Sequence, residues 1–223
     1  MKRILVACEE SQAVTKELRA LGHEAFSCDL LPCSGGHPEW HIQGDVFEVI
    51  SNGWDIMIAH PPCTYLSQSG TQWLYHPEDK HLLSQDRRPH PKYPTRKKDR
   101  DDAVDFVKRL YECDIPCIAI ENPIGSLSSL WRKPDQIVQP WMFGDKASKS
   151  TCFWLKGLPK LAPTDIVDRG EFFEFTTKKG VVKKQPMWYY KALSEAKTSA
   201  ERRTLRSKTF QGMAKAIAKQ WSK

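Results

Sequence analysis

No run of this 223-residue chain approaches the roughly 20 consecutive apolar residues that a helix needs to cross a bilayer, so a membrane-spanning role is not expected. No amino-terminal stretch combines a basic start, an apolar middle and a small-residue cleavage site, which argues against secretion. The seven cysteines are odd in number and, with no such leader, read as reduced thiols of a soluble cytoplasmic protein. Internal repeats, low-complexity tracts and a clear linker are also missing, which leaves one core as the simplest organisation. Metal-ligand spacing is scarce as well. Cys33, His37 and His41 are spaced by four residues, but Ser34-Gly35-Gly36 and Pro38 break any helix that would align them, so no metal is expected.

What is present begins with charge. Lys and Arg number 34 against 27 Asp and Glu, a formal charge of +7 and a pI near 9.0, compatible with a polyanionic partner. The positive residues are bunched. Arg87, Arg88, Lys92, Arg96, Lys97, Lys98 and Arg100 share one polar segment, and Lys178, Lys179, Lys183 and Lys184 share another. Either bunch suits phosphate contacts, although a solvated face explains most such clusters.

Hydrophobic periodicity gives the order of elements. Arg3 to Cys8 reads as a strand, Ser11 to Leu21 as an amphipathic helix with Ala13, Val14, Leu18 and Leu21 on one face and Gly22 as its stop, and Glu24 to Cys28 as a second strand. A short helix at Val46 to Ile50, a strand at Trp54 to Ala59, a long helix from about Asp99 to Glu112 and a strand at Cys117 to Ile120 follow. Strands interleaved with helices predict an α/β fold with a mostly parallel sheet covered on both faces. Trp131 to Phe143 reads as irregular, Thr151 to Leu155 as a strand, Glu171 to Thr177 with Val181 to Lys184 as a hairpin, and Gln211 to Trp221 as a closing helix with Met213, Ala214, Ile217, Ala218 and Trp221 together. Between Cys63 and Arg100 lies a long segment with little periodicity, the kind of loop that tends to be functional or mobile.

In an open parallel sheet ligands bind at the carboxyl ends of the strands. Those ends carry Cys8-Glu9-Glu10-Ser11, Asp29, His60-Pro61-Pro62-Cys63 and Glu121-Asn122-Pro123. Two prolines in succession fix the backbone leading to Cys63 and so aim its thiol, whereas a lone cysteine is more often a small buried hydrophobe. An acid ending the second strand is placed to accept ribose hydroxyl hydrogens. Asp45, after Gly44, is a further candidate, facing an adenine amino group. Turn or cap roles are the ordinary alternative for both acids.

In order and in motif the chain resembles the cytosine-5 DNA methyltransferases. The likeness rests on Leu5 to Leu21, Asp29, Asp45, Pro62-Cys63, Glu121-Asn122, the run Phe143-Gly144-Asp145-Lys146-Ala147-Ser148-Lys149-Ser150-Thr151, and Gln211-Gly212 leading the last helix. It covers most of the chain apart from about Leu158 to Arg206. The resemblance implies a Rossmann-like class I S-adenosylmethionine-dependent methyltransferase fold with a small target-recognition insertion, divided as a catalytic core over residues 1–157, a DNA-contact region over 158–206 and a returning helix over 207–223. It implies a compact, phage-type enzyme in a bacterial or phage-infected cell, with DNA as substrate and no protein partner required.

Site roles follow from the same resemblance. Cys63 is the nucleophile, Glu121 offsets charge on the ring, Asn122 holds the loop, and Lys149 polarises the base carbonyl. S-adenosylmethionine, or a modified form such as carboxy-S-adenosylmethionine, is expected against Cys8, Glu9, Ser11, Asp29, Leu30, Asp45, Pro61 and Pro62. DNA is expected against Thr64, Tyr65, Ser67, Gln68, Ser69, Arg96, Lys97, Lys98, Lys149, Thr151, Lys178 and Lys179, with Trp73 and Tyr75 as stacking candidates and the Lys178–Lys184 hairpin as a groove reader. Two departures stand out. Ala7-Cys8-Glu9-Glu10-Ser11 replaces the family's glycine-rich cofactor loop, and Lys149 and Thr151 stand where the family has two arginines. Two rival readings remain: an amino-methyltransferase, which would need an acidic, amide or serine residue in place of His60 and an aromatic in place of Cys63, and a catalytically silent DNA-binding protein on the same fold.

Overall fold

Side chains along Ile4-Leu5-Val6-Ala7 alternate between two apolar layers, and those along Ile56-Met57-Ile58-Ala59 do the same. Strands buried on both faces in this way sit at the middle of a helix-covered parallel sheet. The computed structural model, which describes residues 1–177, 180–207 and 209–223, bears this out. Its strands are β1 (Arg3–Ala7), β2 (Glu24–Asp29), β3 (His41–Gln43), β4 (Ile56–Ala59), β5 (Cys117–Pro123), β6 (Gln136–Val138), β7 (Thr151–Lys156), β8 (Phe172–Thr176) and β9 (Val182–Pro186). Its α-helices are α1 (Ala13–Ala20), α2 (Val46–Val49), α3 (Arg96–Glu112), α4 (Leu127–Leu130), α5 (Met187–Ser194), α6 (Ser199–Ser207) and α7 (Gln211–Trp221).

Seven strands form one sheet in the order β3-β2-β1-β4-β5-β7-β6, and β8 and β9 form a separate hairpin. All pairings in the large sheet are parallel except those of β7, which runs antiparallel to both β5 and β6. This is the Rossmann-like, mostly parallel architecture expected. One face is covered by α1 and α7, whose Val14, Leu18, Met213, Ile217 and Trp221 pack on Ile4, Ile56 and Phe153. The opposite face is covered by α3, with Val104, Val107 and Leu110 against Met57, Ile118 and Trp154. Chain order reverses between β1 and β4, which opens a crevice at their carboxyl ends.

Several elements differ from the sequence reading. Helix α1 begins at Ala13, not Ser11, because Cys8 (φ 59°) and Gln12 (φ 56°) both lie in the left-handed region. It ends at Ala20, so Leu21 is half exposed and leaves the apolar face, while Gly22 takes the positive φ of a stop signal. The irregular stretch before Phe143 contains β6, which pairs with β7 through Gln136↔Phe153 and Val138↔Thr151. Strands of three residues, such as β3 and β6, are too short to show a period of two. Helix α3 starts three residues earlier than expected, and α5 and α6 lie in a stretch to which the sequence reading assigns no element.

The closing helix is held at its start by a residue far from it in sequence. Gly212 N donates to Asp145 Oδ2 at 2.9 Å, satisfying a helix-start N–H that Phe210, at the cap position, does not reach. Burial pushes the Asp145 carboxyl up, against the lowering effect of the Gly212 and Met213 amides.

Candidate active site

Parallel pairing of β4 with β5 sets Ala59 opposite Ile120, so His60, just past β4, comes beside Glu121, which is still within β5. Their Nδ1 and Oε2 atoms are 3.3 Å apart. Asn122 is buried, and its Nδ2 donates to Pro61 O at 2.8 Å, which fixes the proline bracket to the neighbouring strand. Cys63 then opens a turn in which Leu66 N and Ser67 N both donate to its carbonyl oxygen. The segment after Cys63 is docked on the segment after Asn122: Ser126 N donates to Leu66 O at 2.7 Å, and Gln68 N donates to Ile124 O at 3.1 Å. Only glycine fits at position 125, where a Cβ would lie 1.9 Å from Leu66 O.

Burial and the Glu121 carboxylate push the Cys63 thiol above its ordinary range, and the opposing charges of Lys149 and Arg206 only partly offset them. Burial pushes Glu121 up, but its hydrogen bond to His60 and the charge of Lys149 win, so its carboxyl is held below the ordinary range. The site therefore holds a thiol, a carboxylate with an imidazole behind it, and two cations. Lys149 Nζ also donates to Arg206 O at 3.4 Å.

Arg206 went unnoticed in the sequence. It arrives on α6, its guanidinium lies 4.6 Å from the centre of the Tyr189 ring, and its Nε is buried with no hydrogen-bond partner among the described residues. Nothing local to Arg206 signals this, since the contact comes from a separate helix folding over the sheet edge. Thr151, by contrast, is fully buried and its hydroxyl donates to Lys149 O at 3.2 Å. It supports the turn that carries Lys149 and presents no group to a ligand, so the expected DNA contact there is corrected.

Beside the thiol lies a cavity of about 270 Å³ lined by Cys8, Asp29, Leu30, Asp45, Pro61 and Pro62, together with Cys28, Gly44, Val46, Tyr65, Ala103 and Phe106. Six of the eight residues expected to hold the cofactor thus meet at one place. Glu9 and Ser11 do not line it. The Glu9 carboxylate is buried and accepts from Val14 N at 2.7 Å and Thr15 Oγ1 at 2.7 Å, so it is committed to the start of α1. The left-handed Cys8 gives the turn after β1 the backbone course that glycine usually supplies, and its N–H donates to Cys28 O at 2.7 Å.

The residues expected to touch DNA are dispersed. Thr64, Ser67 and Ser69 follow Cys63, and the Ser67 and Ser69 hydroxyls are 3.1 Å apart. Tyr65 lines the cavity instead. Arg96 is used internally: it donates to Thr64 O at 2.8 Å and Gly70 O at 3.3 Å and lies 5.0 Å from the Tyr65 ring centre. Lys98 pairs with Asp102, and Lys97 is exposed. Trp73 packs edge-on against His90 and Tyr93 within its own loop. Lys178 and Lys179 lie outside the described residues. On the hairpin Lys184 pairs with Glu174 across the strands at 2.7 Å, and Lys183 is exposed.

The long loop after Cys63 is ordered by a lock. Asp79, 4% exposed, accepts from Arg88 N at 2.8 Å and from Arg88 Nη2 at 2.6 Å. These hydrogen bonds hold its carboxyl well below the ordinary range. A carboxyl lowered on folding stabilises above its unfolded value, near about 3.9, and that contribution is lost as pH falls through the native value. Hydrogen-exchange protection of residues 76–93, corrected for intrinsic rates, is therefore expected to hold from neutral pH to about 4 and to fall below it. Asp79→Asn is expected to lose the protection already at neutral pH.

The chain matches no protein-family profile and no curated protein sequence. Among solved structures it is similar to one described as a DNA modification methyltransferase encoded within an E. coli prophage (13% identity, 86% of this chain and 64% of that one, TM-score 0.45). It is also similar to the Dnmt2 methyltransferase of S. pombe (13%, 72% and 50%, 0.40) and to a methyltransferase of Entamoeba histolytica (10%, 75% and 58%, 0.46). The chain thus spans between half and two thirds of the length of these structures. At this looseness the overlaps add nothing to the fold derived from the strand order itself.

Proposed function

We propose that this chain is a DNA methyltransferase that acts on carbon 5 of cytosine through a covalent bond to Cys63. The observation that carries the reading is the meeting, at the carboxyl ends of β4 and β5, of a proline-bracketed thiol with Glu121 and two cations, beside a cavity edged by Asp29 and Asp45. Carbon 5 of cytosine is a poor nucleophile. Bonding a thiolate to carbon 6 converts the ring to an enamine whose carbon 5 is nucleophilic. Lys149 and Arg206 favour the thiolate that burial disfavours, and Glu121 meets the charge that develops on ring nitrogen 3. Asn122 fixes the loop through Pro61 O.

The cavity fits a nucleoside-bearing methyl donor. Asp29 ends the second strand, where a ribose is accepted in folds of this class, and Pro61, Pro62 and Phe106 supply apolar wall. S-adenosylmethionine bound there would supply an electrophilic methyl carbon. Asp29→Ala is expected to weaken its binding about tenfold by calorimetry, the loss of roughly one charge-assisted hydrogen bond. The reacting atoms of a duplex cytosine lie inside the stack, so the base must be flipped out or already unpaired. The β8–β9 hairpin, with Lys183 exposed and Phe173 stacked on Tyr190, has the form of a ribbon that enters a major groove.

The amino-nitrogen alternative finds no support in this arrangement, since His60 and Cys63 replace the residues that chemistry uses. Mass spectrometry of nucleosides after incubating the protein with duplex DNA and S-adenosylmethionine tests the proposal. The expected product is 5-methyldeoxycytidine; N4-methyldeoxycytidine, N6-methyldeoxyadenosine or no methylated nucleoside would contradict it.

A further inference from the structure

One polar group of the site has no task in this chemistry. His60 follows β4, its backbone N–H donates to Ala7 O at 2.9 Å, and its Nδ1 faces Glu121 Oε2 at 3.3 Å. Its Nε2 is buried without a partner among the described residues. The two side chains are only 11% and 17% exposed. Glu121 must deliver a proton to a ring nitrogen, yet a carboxyl held below its ordinary range carries none at neutral pH.

We propose that His60 is the proton reservoir of the site, holding a proton on Nδ1 and passing it through Glu121 to ring nitrogen 3 of the cytosine. The inference rests on the reading of Cys63 and Glu121 as a cytosine-activating pair. As sulfur bonds to carbon 6, the S–H bond breaks and its proton goes to water. The electron pair between carbons 5 and 6 moves to carbons 4 and 5, and the pair between carbon 4 and nitrogen 3 moves onto nitrogen 3. The His60 Nδ1–H bond breaks as its proton moves to Glu121, and the O–H bond so formed then breaks as nitrogen 3 takes that same proton. When the thiolate leaves, nitrogen 3 returns that proton by the same route and the thiolate regains one from water. The net proton released over the cycle is the one from carbon 5.

The surroundings suit this role. Burial opposes a proton on the ring, but Glu121 from β5 and Glu9 from the turn after β1 favour it, and together they outweigh the opposing charge of Lys149. Cys63 lies in the loop that His60 begins, and the charge of Arg206 from α6 acts on Cys63. Each group thus favours the charged form of the other, a proton on His60 beside a negative Glu121. His60 acts through Glu121 and is a positioning residue with a proton to give.

The test compares wild type with His60→Asn in single-turnover methyl transfer from about pH 6 to 9, alongside trapping on 5-fluorocytosine DNA. Asn keeps an N–H for Glu121 but cannot release its proton. Wild type is expected to lose rate on the alkaline side as His60 deprotonates. His60→Asn is expected to be about 10- to 100-fold slower near neutrality, to lack the alkaline decline, and to bind S-adenosylmethionine as wild type does. A wild-type rate and profile in His60→Asn, or a uniform slowing that keeps the alkaline decline, would overturn the inference. If wild type neither methylates nor traps, the reading of Cys63 fails and takes this inference with it. Should His60→Asn not fold, nitrogen-15 NMR of the His60 ring decides: titration above about 6.5 in wild type, moved down by Glu121→Gln, supports the reservoir, and titration at or below that value in wild type removes it.

Discussion

Cys63→Ser is expected to fold, to melt as wild type does and to bind DNA and S-adenosylmethionine, yet to lose methyl transfer by roughly a thousandfold or more. The size of the effect comes from chemistry rather than packing. A serine hydroxyl has nearly the thiol's shape, and the bracket that aims the residue is made of Pro61, Pro62 and the Asn122 Nδ2 to Pro61 O hydrogen bond, none of which the substitution touches. What disappears is an ionisable nucleophile: burial holds the Cys63 thiol up in spite of Lys149 and Arg206, but an alcohol's proton is held far more tightly still. Radiolabelled methyl transfer together with thermal unfolding checks both halves. Activity within tenfold of wild type would mean that sulfur forms no bond to the base.

The second large effect is on stability. Gly212→Ala would place a Cβ 1.8 Å from Phe143 O and 2.8 Å from Asp145 Oδ2. Both neighbours belong to the stretch between β6 and β7, and one of them, Asp145, holds the first turn of α7. The helix must therefore back away from its own anchor. Overpacking against backbone costs about 1–3 kcal/mol, and loss of the Gly212 N to Asp145 hydrogen bond adds about 1 kcal/mol. For a chain of this size that sum lowers Tm by about 5–15 °C. Helix α7 carries Met213, Ile217 and Trp221 into the core against α1, so the loss should be felt globally and appear in one cooperative transition. A Tm within about 1 °C of wild type would show that Phe143 and Asp145 give way freely.

These two sites also show what a sequence can and cannot disclose. Cys63 and Glu121 were legible because each closely follows a run with a clear apolar pattern, and a parallel sheet brings the ends of such runs to one edge. Asp29, Leu30, Pro61, Pro62 and Cys8 were legible for the same reason, whereas Asp45 stood out only by following Gly44; all six line one cavity, and Asp45 also caps α2 through Phe47 N. Arg206 was not, because a residue from α6 reaches the thiol only through tertiary packing. Glu9 misled for a local reason: a carboxylate ahead of a helix serves equally as a ligand contact or as a partner for the helix's first N–H groups, and here Val14 and Thr15 take it. Arg96 misled similarly, since a basic residue in a polar loop carries no sign that its guanidinium will tie Thr64 and Gly70 together. His60 stood in plain view beside the prolines, yet its partner is 61 residues away, so only the β4–β5 register connects them.

The most direct test of the central claim uses duplex DNA containing 5-fluorocytosine, incubated with the protein and S-adenosylmethionine and run under denaturing conditions. Fluorine at carbon 5 cannot leave as a proton does, so an enzyme that attacks carbon 6 and transfers a methyl group to carbon 5 stays bonded to its substrate. The expected result is a protein–DNA adduct that survives denaturant, maps to the peptide containing Cys63, depends on S-adenosylmethionine and is absent with Cys63→Ser. Methylated product without any such adduct would contradict the covalent role of Cys63.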